Sequence, residues 1–248
     1  LQVFAMTTQP ITLAMLHRAL AEGWRIASAT RGVSIAYALV FVLGGVLIMG
    51  GLLAQGWTPF VLAAAGAFML IGPAILAGFF GIAQALEAGR VPGAGAIIDG
   101  FRSADRALWA LALVCGLLFM IFVTDAAILY AYMVGGTPVW LSDLLPANAN
   151  VAAFVRWAGV SGFVVALLLF CISAFSVPLL CERRVGLVGA IVGSVRIVLG
   201  NFPLAILWAF LLSTAIIGSV FLLPLLPLTL PWLAYASRAL YRKTLPTE

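Results

Sequence analysis

From Val33 to Leu86 the chain carries no charged residue. A helix that crosses a bilayer needs about 20 mostly apolar residues. That stretch therefore holds two crossings, with a turn at Gln55-Gly56-Trp57-Thr58-Pro59. Ala107–Val134 repeats the pattern with Asp125 as its one interruption, and Ala152–Leu180 does so with Arg156 near its start. Phe202–Ser237 is again uncharged. Only 8% of the residues are charged and 65% are hydrophobic, where a soluble domain carries about 25% charged residues. Water cannot be the solvent for most of this surface, and a disordered chain is excluded by the same balance.

The last uncharged stretch is long enough for two short crossings, but Pro224, Pro227 and Pro231 interrupt any regular helix there. Charge placement decides the count. With six crossings, Arg18, Arg25, Arg31, Arg90, Arg102, Arg106, Arg183, Arg184, Arg196, Arg238, Arg242 and Lys243 fall on one side. Only Arg156 falls on the other, so 12 of the 13 basic residues share a face. This is the positive-inside bias, and it places both termini in the cytoplasm of a bacterial inner membrane. Trp24, Trp109, Trp208 and Trp232 lie toward the inner boundary in this scheme, and Trp57, Trp140 and Trp157 at the outer one. Indoles favour both levels.

The reading is one all-α integral membrane domain over 1–248, a polytopic transmembrane helical bundle. Its spans are about 33–55, 59–87, 107–134, 152–180, 202–221 and 222–240. Interfacial helices are expected at 11–31, about 94–104 and about 187–200. Each of these three carries a similar heptapeptide: Ala19-Leu20-Ala21-Glu22-Gly23-Trp24-Arg25, Ala96-Ile97-Ile98-Asp99-Gly100-Phe101-Arg102 and Ala190-Ile191-Val192-Gly193-Ser194-Val195-Arg196. The unit is an interfacial helix followed by a transmembrane hairpin, used three times in parallel. The small residue lets the helix approach a neighbour. Arg25, Arg102 and Arg196 then reach lipid headgroups.

Few residues can carry chemistry. Asp125 is the acid inside a span, and such residues are functional suspects by default. Arg156 stands one turn into the following antiparallel helix, so a structural ion pair competes with a role in proton or ion transfer. Gly72-Pro73 reads as a hinge or a packing kink, followed by a small-residue stripe at Ala77, Gly81 and Ala85. His17 is the single histidine, too few ligands for a haem or metal centre. Cys115, Cys171 and Cys181 are widely spaced packing residues with no CxxC pair. Val91-Pro92-Gly93-Ala94-Gly95 reads as a hinge, because no strand precedes it. Residues 1–10 have neither the basic start nor the cleavage site of a signal peptide. The net charge of +5 is accounted for by topology, which removes the case for nucleic acid. Within 135–150, Val139–Leu145 reads as a short helix on the outer surface.

Several segments, in order, resemble a bacterial integral membrane family designated domain of unknown function 2189. They are Ala19–Arg25, Ser34–Tyr37, Leu70-Ile71-Gly72-Pro73 with Leu86-Glu87-Ala88-Gly89, Phe175–Leu180 with Glu182-Arg183 and Ser194-Val195-Arg196, and Asn201–Trp208. Members often end in a Pro-rich piece with histidines flanking a Trp. Here the corresponding Leu228–Tyr235 keeps Trp232 and Tyr235 without a histidine. The family is sometimes labelled cytochrome c oxidase-related, which fits a bystander subunit better than a haem carrier.

These readings point to a non-catalytic accessory or assembly subunit of a larger membrane complex, with a respiratory complex as one setting. Its partners are membrane lipids and other membrane subunits. No intrinsic cofactor is expected beyond bound phospholipid. The competing reading is a transporter or channel for a small or lipidic solute, with Asp125 in the pathway.

Overall fold

The computed structural model describes residues 9–55, 58–103, 106–133, 135, 149–183 and 185–245. Most of the described residues are helical, and none lies in a strand. In chain order the helices are α1 (Leu13–Ala29), α2 (Arg31–Ala54), α3 (Thr58–Glu87), α4 (Ala94–Ser103), α5 (Arg106–Met133), α6 (Ala149–Ser173), α7 (Ser176–Cys181), α8 (Leu187–Gly200), α9 (Phe202–Phe221) and α10 (Leu226–Thr244). A single 3₁₀ turn, Leu223–Leu225, joins α9 to α10. The inter-helix turn at Gly56-Trp57, Trp140 and the helix expected at Val139–Leu145 lie outside the described residues.

Among the described residues, four segments are long and apolar enough to cross a membrane. They are Arg31–Gly51, Arg106–Met133, Ala149–Cys181 and Phe202–Val220. α10, expected as the sixth span, is not among them. Arg238, Arg242 and Lys243 occupy its last two turns and leave only Leu226–Ser237 uncharged.

The chain divides into two compact units: residues 1–42, 73–111 and 171–248 form the first, and 43–72 with 112–170 the second. In the second, α5 and α6 meet where the Tyr130 and Phe154 rings pack edge to face, with centroids 5.0 Å apart. The ring of Phe122 lies against Gly162, where a Cβ would come within 3.1 Å of it. Much of the described outer surface of α5 and α6 is apolar. Leu113, Leu117, Ile121, Ile128, Val160 and Phe163 are all exposed. A water-soluble fold keeps exposed apolar patches small, so these helices face hydrocarbon.

The first unit holds an aromatic core. Tyr37 of α2 packs edge-on against Phe41, Phe79 and Phe101, and Phe79 in turn meets Tyr235 of α10. In lipid, apolar surface gains little by changing neighbours, so close packing and interhelical hydrogen bonds must hold helices together. Both are present. Gly78 leaves room for the Tyr37 hydroxyl, which donates to the Ile75 carbonyl. Thr30, Ser34 and Tyr235 form a buried hydroxyl chain, with Thr30–Ser34 at 2.8 Å and Ser34–Tyr235 at 2.6 Å. Pro73 sits buried inside α3, and the helix runs on through it.

α1 lies along α10. Leu16, Ala19, Gly23 and Ile26 recur at helical spacing and form its buried face. Thr12 caps its start by accepting from the Met15 N–H, and the chain before it is tied down by Gln9 N–H to Thr244 O and Ile11 N–H to Asn201 Oδ1. The Trp232 ring N–H donates to the Leu20 carbonyl, and Trp24 packs edge-on against that indole. Trp208 is buried in the core.

Candidate functional site

The polar groups of the first unit converge where α10 ends. α10 changes character along its length: Pro227, Pro231, Leu233, Ala234 and Tyr235 are apolar or aromatic, whereas Arg238, Tyr241, Arg242 and Lys243 carry polar heads. α3 ends with Glu87 immediately after its last apolar residue, Leu86, and Glu182 follows the short α7 in the same way. Arg238, 3% exposed, donates to both Glu87 oxygens at 2.6 and 3.0 Å. Arg242 bridges the two acids, reaching Glu87 at 2.9 Å and Glu182 at 3.2 Å. Tyr241 donates to Glu182 at 3.0 Å, and Lys243 ties α10 to Glu22 of α1 at 2.7 Å.

Burial works against the charge on Glu87, but the hydrogen bonds and charges of Arg238 and Arg242 outweigh it and hold the carboxyl below its ordinary value. Burial also opposes the charge on Arg242, and the two glutamates more than compensate. Bidentate arginine–carboxylate contacts are strong and geometrically specific. This cluster thus joins α3, α7 and α10 at one level. Its charges are directed at one another, which suits fastening more than turnover.

The turns beside it add two caps. Gly89 and Arg183 both take left-handed backbone, φ 69° and 51°. For an arginine that conformation costs about 1–2 kcal/mol. It aims the Arg183 guanidinium at the Ser103 and Arg102 carbonyls, 2.9 and 3.1 Å away, at the end of α4. A cation there complements the free carbonyls of a helix C-terminus.

The residues singled out from sequence are distributed as follows. Asp125 and Arg156 are both exposed, and no ion pair joins them among the described residues. Asp125 instead lines an open groove on α5 with Leu117, Met120, Ile121 and Thr124. Gly72 is half-buried, while Pro73, Ala77, Gly81 and Ala85 are buried in α3. Ala77 and Gly81 face α4: a Cβ on Gly81 would strike the Ala96 carbonyl, and one on Gly100 would strike that of Ala77. Arg25, Arg102 and Arg196 are all exposed. Among the described residues no group of His, Cys, Asp and Glu could hold a metal ion, and Cys115, Cys171 and Cys181 are free thiols. The Glu87–Glu182–Arg238–Arg242 cluster was not singled out from sequence. Its only signal there is the position of two of the chain's eight acids, each directly after an apolar run.

Membrane-length apolar helices, apolar outer surfaces and polar groups gathered at helix ends define a polytopic helical membrane protein. Residues 60–182 match the family model described as a predicted integral membrane protein, domain of unknown function 2189. No curated protein and no solved structure matches it.

Proposed function

We propose that the protein is a non-catalytic accessory or assembly subunit of a larger bacterial inner-membrane complex, with a respiratory complex as one setting and both termini in the cytoplasm. The observation that carries this reading is the mutual pairing of Glu87, Glu182, Arg238 and Arg242, which spends the buried charge on fastening helices. The broad apolar faces of α5 and α6 supply surface for membrane neighbours and lipids. Six crossings arranged as a threefold repeat fit this role. In support, Ala19 and Gly23 are buried with Gly23 against Ala236, Ala96 and Gly100 with Gly100 against Ala77, and Ala190 and Ser194 with Ser194 against Cys171. The test is gentle detergent extraction of the native protein, followed by sizing and identification of what co-migrates. A defined membrane-protein partner supports the reading, and a strictly monomeric species counts against it.

A second reading, a small-solute or lipid transporter, is favoured by the groove that Asp125 shares with Thr124. Its test is flux in proteoliposomes, which Asp125→Asn should abolish. Unchanged flux removes Asp125 from any pathway.

A further inference from the structure

We propose that the cleft lined by α1, α2 and α10 binds the phosphate of an anionic phospholipid, with Arg31 as its cation. The cleft is walled by Trp24, Ala27, Ser28, Arg31, Ser34, Ile35, Leu228 and Pro231, none of them acidic. Arg31 is exposed and forms no ion pair or hydrogen bond among the described residues. The nearby acid of α1, Glu22, is already held by Lys243. Charge in the cleft is therefore uncompensated and positive.

Its position selects the ligand. Arg31 opens the apolar span Arg31–Gly51, which sets its guanidinium at the level where hydrocarbon gives way to headgroups. Ile35 stands one turn further along the same span, about 6 Å deeper. Leu228, 43% exposed, is the apolar wall on α10. Trp24 is half-exposed at the rim, its ring steadied edge-on by Trp232. The Ser34 hydroxyl is engaged with Thr30 and Tyr235, so Ser28 is the hydroxyl left to support the phosphate. A cation, a hydroxyl and an indole at headgroup level, beside the outward-facing Leu39 and Leu228, match a lipid phosphodiester whose acyl chains lie along that apolar surface. A free phosphate would make no use of that surface. This inference rests on membrane insertion alone and is independent of the accessory-subunit reading.

The test is native mass spectrometry of the full chain in mild detergent, mixed with phosphatidylglycerol or phosphatidylcholine. The wild type should retain one phosphatidylglycerol in preference to phosphatidylcholine. Arg31→Gln should lower that preference about tenfold, Arg31→Lys should keep most of it, and Arg18→Gln, on exposed α1 surface outside the cleft, should keep all of it. Leu228→Trp, which fills the cleft from an exposed position, should lower retention of both lipids and provides a second readout if Arg31→Gln does not fold. An undiminished preference in Arg31→Gln would overturn the proposal. So would complete displacement of the lipid by inorganic phosphate, which would assign the site to a soluble anion.

Discussion

Arg238 of α10 grips Glu87 of α3 with both terminal nitrogens, at 2.6 and 3.0 Å, across 151 residues of chain. The two partners are unequal: Arg238 is 3% exposed, whereas the Glu87 side chain is 38% exposed and also meets Arg242. Removing one member of a buried pair is costly chiefly because of the charge left behind. Glu87→Ala strands a guanidinium in the core, and its cost should approach the lower end of roughly 3–5 kcal/mol. Arg238→Met leaves a carboxylate that Arg242 still neutralises, so it should cost less. Unfolding midpoints of the purified variants in one detergent would check the order, and a reversed order would show that the packing of Arg238 outweighs its charge.

The same pair fixes a pH response. The Glu87 carboxyl is held below its ordinary value because Arg238 and Arg242 overcome the penalty of burial. A carboxyl depressed in the folded state contributes stability that is complete above its unfolded pKa, about 4.3. That contribution is lost as pH falls through the lower, folded value. The wild type should therefore lose stability in acid below about pH 4.3, and Glu87→Gln should flatten this part of the profile. Thermal midpoints across an acid series would measure it. An equally steep loss in Glu87→Gln would move the effect to another group.

Helical elements were legible from the chain because hydrocarbon permits so few alternatives: an uncharged run long enough to span must satisfy its backbone internally. The short amphipathic helices were legible from the Ala and Gly or Ser spacing, and the structure has helices at Ala94–Ser103 and Leu187–Gly200. What holds the helix ends together was not legible. Glu87, Glu182 and Arg242 are far apart in sequence, and no local periodicity signals that an acid after one apolar run will meet an arginine near the other end of the chain. Asp125 and Arg156 were prominent for the opposite reason. They are conspicuous in apolar sequence and close in register across a hairpin, yet the rotation of α5 and α6 leaves both exposed. Rotation about the helix axis is poorly determined by sequence when every face is apolar.

Exposure also makes a prediction for these two. Asp125→Asn and Arg156→Gln should each change stability by no more than about 0.5 kcal/mol, since neither removes a partner from the other. Combining them should give the sum of the single effects. A double-mutant cycle in detergent is the measurement, and a coupling well above that level would establish an interaction between them.

Close helix approach is the next test. A Cβ on Gly100 would collide with the Ala77 carbonyl, and one on Gly23 with the Ala236 backbone. Backbone cannot swing aside as a side chain can, so Gly100→Ala and Gly23→Ala should each cost about 1–3 kcal/mol. At Gly44, within α2, a Cβ meets open space, and Gly44→Ala should be neutral or stabilising by up to about 1 kcal/mol through helix propensity. Comparing the three in one unfolding assay separates packing from propensity. Equal effects would mean that the contacts of α1 and α4 carry no strain.

Ser194 is the third small residue of this kind, and its hydroxyl does what the glycines cannot. α6 ends at Ser173 and α7 begins at Ser176, so the backbone between them leaves helical groups in need of partners. The buried Ser194 Oγ donates to the Cys171 carbonyl at 2.7 Å and accepts from the Phe175 N–H at 3.1 Å. One side chain of α8 thereby satisfies both sides of the break, at a site where water is not at hand to substitute. Ser194→Ala keeps the small volume and removes both bonds, leaving a buried donor and acceptor, at a cost of about 1–3 kcal/mol. Ser194→Cys is nearly isosteric but a weak donor, and should fall between alanine and wild type. Hydrogen exchange at the Phe175 amide should speed up in the same order. If exchange there stayed at the wild-type rate in Ser194→Ala, the junction would be held by α6 and α7 themselves and the hydroxyl would be dispensable.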